Sequence, residues 1–434
     1  MTAHPLNVFD ASARVGAVEY ESLDDSFAFH YDETWVDSDG AYSISPHILM
    51  RGNGASSSTV RRFLENLLPE GRALDIAATT FQVARNNLYG LLRQLGQETA
   101  GALSFLVATP QAQPTTRREI TRAELKQRIG ERAETPFAVW DGRVRMSIAG
   151  YQDKLSVYKD GERMYLVEGE LASTHILKPE PESDRLPMLV ANEHYCMSLA
   201  RRIGLAAAPV SILRVPEPVL LVERFDRARE AQRVRRLHII DGCQALNFPV
   251  AYKYERNFGS GRDVRNIRDG MSFQRLFSVA DYTVQKAVTR LGLLSWALFQ
   301  YLIGNSDAHG KNVSFFCRPA GLALAPYYDL VSVVQCEGLD HELAMAYGDE
   351  FRLDNIRPYD WADFAARAGI PRRLLSREME RIGRAALRAA ARQAAEDSYQ
   401  GEEKALVSKI AAFVQQQSRR LIEMGPPMLA VSLD

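Results

Sequence analysis

The chain has 434 residues, which allows two or three domains with a substantial buried core. Its 53 basic and 54 acidic residues nearly cancel, so overall charge excludes a general affinity for nucleic acids or membranes, and any basic surface must be local. The four cysteines lie far apart without a Cys-x-x-Cys pair, which disfavours a zinc ribbon or disulfide framework and predicts reduced thiols in a cytoplasmic protein.

Residues 1–107 are predicted to form a small α+β unit, followed by a linker at 108–118 that is rich in Pro, Gln and Thr. Apolar residues alternate with polar ones where strands are expected and recur every three or four positions where helices are expected. These patterns predict strand regions at 27–31 and 42–44 and helices at 60–67 and 88–95. A strand at 102–107 is predicted to close the unit.

Residues 119–226 are predicted to form a second unit that becomes strand-rich from Val144. The turn SIAGYQDK at 147–154 lies between the first two predicted strands, 144–148 and 155–158. Its glycine, Gly150, could bring backbone amides close to a phosphate group. The turn lacks the second glycine and the GK[ST] ending of a Walker loop. A plain hairpin turn therefore fits these residues equally well.

Three features of this region each allow two interpretations. Lys178 follows the strand THIL and either reaches into a cleft or is solvated. Glu193, on a helix predicted at 187–203, either pairs with Lys178, as a helix glutamate does in protein kinases, or is favoured by the helix dipole. The segment ERFDR at 223–227 is either an adenine-binding hinge or a surface turn with a buried Phe225.

Residues 227–434 are predicted to be mostly helical. The arginine-rich stretch 228–236 is predicted to be an exposed loop, and DGCQAL at 241–246 and KYERNFGSG at 253–261 are predicted to be loops that face a cleft. The apolar run 291–303 is too short to span a bilayer and predicts a buried helix. Further helices are predicted at about 273–279, 359–368, 374–395 and 403–423.

The buried helix leads into LIGNSDAHGKN, which places Asp307, His309, Lys311 and Asn312 within six positions. Asp329 follows after a predicted hairpin. In phosphoryl transfer from a magnesium nucleotide, one carboxylate accepts the proton of the attacking hydroxyl, while an amide oxygen and a second carboxylate hold Mg²⁺. About one Asp-x-x-x-x-Asn pair is expected by chance in a chain of this length, so a capped loop is the alternative.

Five arginines recur at helical spacing on the helix predicted after Pro371: Arg377, Arg381, Arg384, Arg388 and Arg392. This spacing predicts five guanidinium groups on one face. The face either contacts nucleic-acid phosphates or is solvated and partly paired with acidic neighbours.

The ordered motifs SIAGYQDK, THILKP, NEHYCMSLA, VERFDR, DGCQ, KYE, LIGNSDAHGKN and APYYDL closely resemble the HipA-type serine/threonine kinase toxins of bacterial toxin–antitoxin pairs. The motifs cover about residues 144–350, and the N-terminal unit with its LLPEG segment resembles the extra subdomain of full-length members. The resemblance implies an α+β, two-lobed protein-kinase-like fold with a mostly helical C-terminal lobe and with ATP and Mg²⁺ in the cleft.

Carried over by position, the resemblance implies that Asp307 is the catalytic base, supported by His309, and that Asn312 and Asp329 bind magnesium. It also implies a set of nucleotide contacts: Lys178, Ser147, Ala149, Gly150, Tyr151, Glu223, Phe225, Gln244 and Lys311. Ser147 matches the serine that members autophosphorylate, which inactivates them by displacing the turn. Two phosphate charges would indeed be hard to keep beside those of ATP. The turn departs from the family pattern at Tyr151, where a smaller residue is usual.

The first functional hypothesis is therefore a kinase that phosphorylates a translation component, such as an aminoacyl-tRNA synthetase, and arrests growth until an antitoxin restrains it. Retention of Lys178, Asp307, Asn312 and Asp329 favours it. The second is a module that docks a small, dimeric DNA-binding antitoxin and strengthens operator repression, which the arginines favour. A third, a kinase for a lipid or other small molecule, is disfavoured because no lipid anchor or basic amphipathic helix lies near a terminus, so no membrane partner is expected.

Overall fold

The computed structural model describes residues 3–109, 114–145, 152–169, 171–230 and 233–433. The chain divides into two compact units, each assembled from segments that are distant in sequence. The first unit consists of Met1–Pro179, Arg214–Val250 and Ser314–Ala325, and the second of Glu180–Leu213, Ala251–Val313 and Pro326–Asp434. The domain boundaries derived from the sequence stay predictions.

Strands and helices are interspersed as far as Arg352, and helices follow, so the fold is a mixture of the two. The strands are β1 (Ala3–Asp10), β2 (Ala13–Glu21), β3 (Ser26–Tyr31), β4 (Leu103–Leu106), β5 (Thr116–Ile120), β6 (Val139–Trp140), β7 (Arg143–Val144), β8 (Leu155–Asp160), β9 (Arg163–Glu168), β10 (His175–Pro179), β11 (Val210–Arg214), β12 (Pro218–Glu223), β13 (Arg227–Glu230), β14 (Arg233–Arg236), β15 (Ile239–Asp241), β16 (Ser314–Arg318), β17 (Gly321–Leu324), β18 (Glu342–Tyr347) and β19 (Glu350–Arg352). The helices are α1 (Glu33–Val36), α2 (Ser57–Glu65), α3 (Gly71–Thr80), α4 (Leu88–Leu95), α5 (Arg122–Gly130), α6 (Leu189–Arg202), α7 (Gly242–Ala245), α8 (Phe273–Ser278), α9 (Lys286–Ile303), α10 (Pro358–Arg367), α11 (Arg372–Ala394) and α12 (Glu403–Leu429).

The N-terminal part of the first unit is an antiparallel sheet in the order β3-β2-β1-β4. The strand at 27–31 and the helices at 60–67 and 88–95 are confirmed. The strand predicted at 42–44 is wrong. Tyr42 is buried because its ring packs edge-on against Trp35, whose indole N–H donates to the Tyr42 carbonyl, so these residues alternate in burial without a strand partner.

A second antiparallel sheet in the first unit runs in the order β12-β10-β8-β9-β5. Strand β10 pairs with β12 so that His175 lies opposite Glu223 and Lys178 opposite Leu220. This register sets two of the predicted nucleotide contacts on neighbouring strands. A third sheet, β15-β16-β17, contains the hairpin predicted before Asp329.

Two loop predictions in the first unit are wrong. The region predicted as a loop at 228–236 contains strand residues instead: β13 and β14 pair antiparallel, with Arg227 opposite Arg236 and Glu230 opposite Arg233. The expected exposure holds for Arg233 and Arg235, whose side chains are 64% and 52% exposed, so only the loop assignment is wrong. DGCQAL contains the short helix α7, which begins where the Asp241 carboxylate accepts from the Gln244 backbone N–H at 2.9 Å.

Arg236, the last residue of β14, attaches the β13–β14 pair to the N-terminal part of the first unit. Its guanidinium group donates to the carbonyls of Gly101 at 2.8 Å, Thr99 at 2.7 Å and Leu103 at 3.2 Å. Nearby, the ring of His238 stacks on Tyr42 with centroids 5.3 Å apart. The backbone carbonyls of 99–103 therefore find their partners on a segment more than a hundred residues later in the chain.

Helices dominate the second unit. The predicted buried helix is α9, which runs from Lys286 and is longer than its apolar stretch, and the four further helices are confirmed as α8, α10, α11 and α12. Helices α11 and α12 pack against each other, and both contact α6 and α9. The loop prediction at 253–261 also holds, since no helix or strand begins there. Among the described residues, no helix combines the length and the apolar character needed to cross a bilayer.

Candidate functional site

The segment with the predicted catalytic aspartate begins where α9 ends. Gly304 adopts φ +63°, and a Cβ atom there would lie 2.6 Å from Cγ2 of Val334, so both conformation and space require glycine. Beyond it, two backbone hydrogen bonds hold the loop. Ala344 N–H donates to the Ser306 carbonyl at 2.8 Å, and Gly310 N–H donates to the Lys253 carbonyl at 3.0 Å.

Asp307 is the exposed residue of this otherwise buried loop. Its backbone N–H donates to Oδ1 of Asn305 at 3.1 Å, and its carboxylate Oδ1 accepts from the phenol of Tyr254 at 2.6 Å. The Tyr254 ring stands edge-on to the His309 ring, with centroids 5.1 Å apart. A carboxylate that is anchored at one oxygen and open to solvent has the geometry that a general base requires.

His309 begins the short 3-10 turn Gly310–Asn312, and its Nδ1 accepts from the Lys311 backbone N–H at 3.3 Å. The Asn312 side chain in turn accepts from the His309 backbone N–H at 3.0 Å. These reciprocal contacts form a capping box at the start of the turn. His309 therefore shapes the loop, and its role in supporting catalysis stays a prediction.

Asn312 and Asp329 lie together: Nδ2 of Asn312 donates to Oδ2 of Asp329 at 3.0 Å. Asp329 also adopts the left-handed conformation, at φ +57°, which is uncommon for residues other than glycine and clusters at functional sites. The neighbouring Tyr328 donates its hydroxyl to the Lys311 carbonyl at 2.6 Å, which ties the two loops to each other.

The donor set at Asn312 and Asp329 fits magnesium. Both side chains present hard oxygen atoms, and Mg²⁺ prefers one or two carboxylates together with phosphate oxygens and water. The carbonyl oxygen of Asn312 has a second lone pair besides the one that His309 uses. Asp329 supplies a carboxylate, the charged oxygen ligand that Mg²⁺ favours, beside this amide oxygen.

Lys178, Glu223 and Phe225 are predicted nucleotide contacts that lie in the first unit. Lys178 is buried on β10, at 6% exposure, next to Pro179 at the end of the strand. Glu223 is exposed at the last position of β12. Phe225 is half-buried and stands edge-on to Phe316, with ring centroids 6.0 Å apart.

A buried charge cluster flanks Phe225. Arg224 makes a two-armed ion pair with Asp226, at 3.0 Å from Nε and 2.8 Å from Nη2, and Arg227 donates to the same carboxylate at 2.8 Å. Burial alone would raise the pKa of Asp226, but the two guanidinium groups outweigh it and hold the pKa well below its ordinary value. The sequence interpretation of ERFDR missed this pairing, whose only signal is alternating opposite charges.

Gln244 is buried, and both ends of its side chain have protein partners. Its Oε1 accepts from the Asp241 backbone N–H at 3.1 Å, and its Nε2 donates to the Phe63 carbonyl at 3.1 Å. These contacts hold α7 against the N-terminal part of the first unit. These hydrogen bonds give Gln244 a structural role. The nucleotide contact that the resemblance implied for it stays a prediction.

The predictions for the turn lie outside the described residues, since Ser147, Ala149, Gly150 and Tyr151 all fall in 146–151. Glu193 is buried on α6, and its pairing with Lys178 stays a prediction.

The arginine face of α11 exists as predicted: all five arginines are exposed. Arg381 and Arg384 pair with Glu378 at 2.7 Å and Glu380 at 2.9 Å, while Arg377 lies 4.0 Å from Glu378. Arg388 and Arg392 make no ion pair with any part of the chain that the structure describes. The C-terminal half of the face thus carries uncompensated positive charge.

Sequence models of the HipA N-terminal domain and the HipA-like C-terminal domain match residues 6–106 and 146–393. The chain is 43% identical over 373 residues to the serine/threonine-protein kinase toxin HipA of Shewanella oneidensis, which spans 85% of this chain and 84% of the relative. It is 34% identical over 394 residues to the putative kinase Y4mE of Sinorhizobium fredii, which spans 88% and 90% of the two chains. Among solved structures, it is similar to a chain of the Shewanella oneidensis complex of HipA, HipB and operator DNA, with a TM-score of 0.90 and 38% identity over 99% of this chain and 100% of the other.

Proposed function

The chain belongs to the HipA family of serine/threonine-protein kinase toxins, and from this premise we propose that it transfers the terminal phosphoryl group of Mg-ATP to a hydroxyl group of a translation protein. An aminoacyl-tRNA synthetase is the substrate class that the family resemblance implies. The observation that carries the proposal is the 3.0 Å contact between Asn312 and Asp329. Asn312 lies five residues after Asp307, on the turn that His309 caps.

In the proposed reaction Asp307 accepts the proton of the attacking serine or threonine hydroxyl. Asn312 and Asp329 would hold Mg²⁺, which neutralises charge on the ATP phosphates when it is bound. Lys178 supplies a further positive charge to the phosphates, and Glu223 and Phe225 bind the adenine. His309 and Lys311 keep the turn in the conformation that presents Asn312.

Asp307→Asn tests the proposal directly. The replacement keeps the size of the side chain and removes its ability to take a proton, so transfer of phosphate into protein should fall by about a hundredfold to ten-thousandfold with ATP binding retained. The measurement is mass spectrometry of the full chain after incubation with Mg-ATP. Phosphate incorporation at the wild-type rate in this variant would remove Asp307 from the role of base.

A second activity, contribution to operator binding within a toxin–antitoxin complex, is supported by the charged face of α11. The solved relative was crystallised with HipB and operator DNA. We propose that this chain likewise binds a small, dimeric DNA-binding antitoxin, which makes most of the DNA contacts, and that Arg388 and Arg392 add phosphate contacts. Kinase activity and operator binding then reside in one cytoplasmic complex.

A further inference from the structure

The segment Tyr252–Glu255 contacts the loop of Asp307 from a position about fifty residues earlier in the chain. Tyr254 is the residue of this segment that reaches Asp307: its hydroxyl donates to Oδ1 at 2.6 Å. This is a charge-assisted hydrogen bond, a class that is short and roughly twice as strong as a neutral one. The role that follows rests on the proposed function, since it acts through Asp307 as the base.

The backbone on both sides of Tyr254 is held in place. Before it, the Lys253 carbonyl accepts from Gly310 N–H at 3.0 Å, which joins the segment to the Asp307 loop. After it, Glu255 N–H donates to the Ala344 carbonyl at 2.9 Å, and Ala344 N–H donates to the Ser306 carbonyl at 2.8 Å. Ala344 therefore links the residue after Tyr254 to the residue before Asp307.

The Glu255 side chain fixes the same segment from the interior. It is 2% exposed, and its Oε2 accepts from Ala346 N–H at 2.8 Å while its Oε1 accepts from Nε of Arg268 at 2.7 Å. Gly270 N–H donates to the Glu255 carbonyl, and a Cβ atom on Gly270 would lie only 1.8 Å from the Tyr254 carbonyl oxygen. The position of the phenol is thus set by a buried carboxylate and a close backbone approach.

A carboxylate base must present one lone pair toward the substrate hydroxyl, and a free aspartate can turn about its terminal bond. A donor that occupies Oδ1 stops that rotation and leaves Oδ2 for the substrate. We propose that Tyr254 is a positioning residue of the phosphotransfer reaction: its phenol holds Oδ1 of Asp307 so that Oδ2 receives the substrate proton. The ring contact with His309 adds to this by fixing the plane of the phenol.

The test is Tyr254→Phe, which deletes the hydroxyl and keeps the ring against His309. Full-length protein is assayed for transfer of labelled phosphate from Mg-ATP into its own serines and into dephosphorylated casein. We expect kcat to fall about tenfold to a hundredfold, since small misplacement of a reacting group has effects of that size. The KM for ATP, the affinity for a fluorescent ATP analogue and the unfolding temperature should stay unchanged. The matched control is Tyr359→Phe, which removes a hydroxyl from a tyrosine that is 53% exposed at the start of α10.

A double variant separates this proposal from the assignment of Asp307. If Tyr254 acts through Asp307, Tyr254→Phe should cost nothing further in the Asp307→Asn background. The same fold-loss in both backgrounds would mean that the phenol acts independently, and a full or increased rate in Tyr254→Phe would mean that it is dispensable or obstructive; each result overturns the proposal. Undiminished transfer by Asp307→Asn alone would instead refute the base assignment.

Discussion

Arg224 and Asp226 are joined by two hydrogen bonds, at 3.0 and 2.8 Å, and both side chains are at most 6% exposed. Removal of one partner from a buried ion pair leaves the other charge uncompensated, which costs about 3–5 kcal/mol. Asp226→Asn should therefore lower the free energy of unfolding by that amount in denaturant titrations. The control is Asp160→Asn, since Asp160 is 58% exposed and lies 3.6 Å from Arg117, and such a pair contributes at most about 1 kcal/mol.

His238 predicts acid sensitivity of the first unit. Burial lowers the pKa of His238 from 6.5 to about 4, and it outweighs the hydrogen bond to the Ile44 carbonyl and the charge of Asp10, which both raise the pKa. Its Nε2 lies 3.1 Å from the Ile44 carbonyl, an acceptor, so Nε2 carries the proton of the neutral ring.

Between pH 6.5 and about 4 the unfolded chain binds a proton at this position and the folded chain does not. The stabilisation is therefore complete above pH 6.5 and is lost as the pH falls, by about 3 kcal/mol over the whole window. His238→Gln should be less stable at neutral pH but should lose about 2 kcal/mol less than the wild type between pH 7.5 and 4.5. Parallel pH profiles for the two proteins would contradict this.

Asp329→Asn tests the magnesium site without disturbing the backbone. Asparagine tolerates the left-handed conformation found at φ +57°, so the unfolding temperature should stay unchanged. The replacement removes the negative charge, and we expect the Mg²⁺ concentration for half-maximal kinase activity to rise at least about tenfold. The control is Asp354→Asn, whose carboxylate is 92% exposed and which should leave the requirement unaltered. An unchanged requirement in Asp329→Asn would place the metal elsewhere.

The charged face of α11 predicts a change in salt dependence. Arg388→Gln combined with Arg392→Gln should leave kinase activity intact and reduce the slope of log K against log salt, for operator binding by the antitoxin complex, by about two for each kinase chain. Replacement of Lys409 and Arg419 on α12 by glutamine removes the same charge from another helix. An equal effect of both pairs would assign the change to net charge alone.

Autophosphorylation can be tested through Ser147. Ser147→Ala should prevent the gain of one phosphate by the chain after incubation with Mg-ATP. It should also prolong activity toward an added protein, because the resemblance implies that the two negative charges of this phosphate inactivate the kinase. Ser58→Ala, at an exposed serine of α2, should behave as the wild type. Phosphate that persists in Ser147→Ala would direct attention to another serine.

Local sequence patterns predicted the helices well, since α2, α4 and α9 bury apolar stripes at helical spacing. They also predicted that Asn312 and Asp329 would meet, because a strand pair connects them. They failed for β13 and β14, because a two-stranded pair built largely of exposed arginines has no apolar alternation by which strands are recognised.

The contact between Tyr254 and Asp307 could not be predicted from the sequence, for a related reason. The two residues are 53 positions apart, and no periodicity or motif spacing in the sequence links a loop tyrosine to an aspartate in another loop. The left-handed conformation of Asp329 left no signal either, because aspartate occurs in turns of every type. Tertiary contacts decide such features, and a single sequence does not record them.

The bonds from Arg236 to the carbonyls of Gly101, Thr99 and Leu103 also bear on how such chains diversify. These bonds join residues 6–106 to residues 146–393, the two stretches that separate family models match. The earlier stretch therefore cannot be exchanged without regard to the later one. A chimaera that takes residues 6–106 from a relative must place three backbone carbonyls where the guanidinium group of Arg236 can donate to them. Recombination among relatives is expected to succeed more often when the whole of the first unit comes from a single parent.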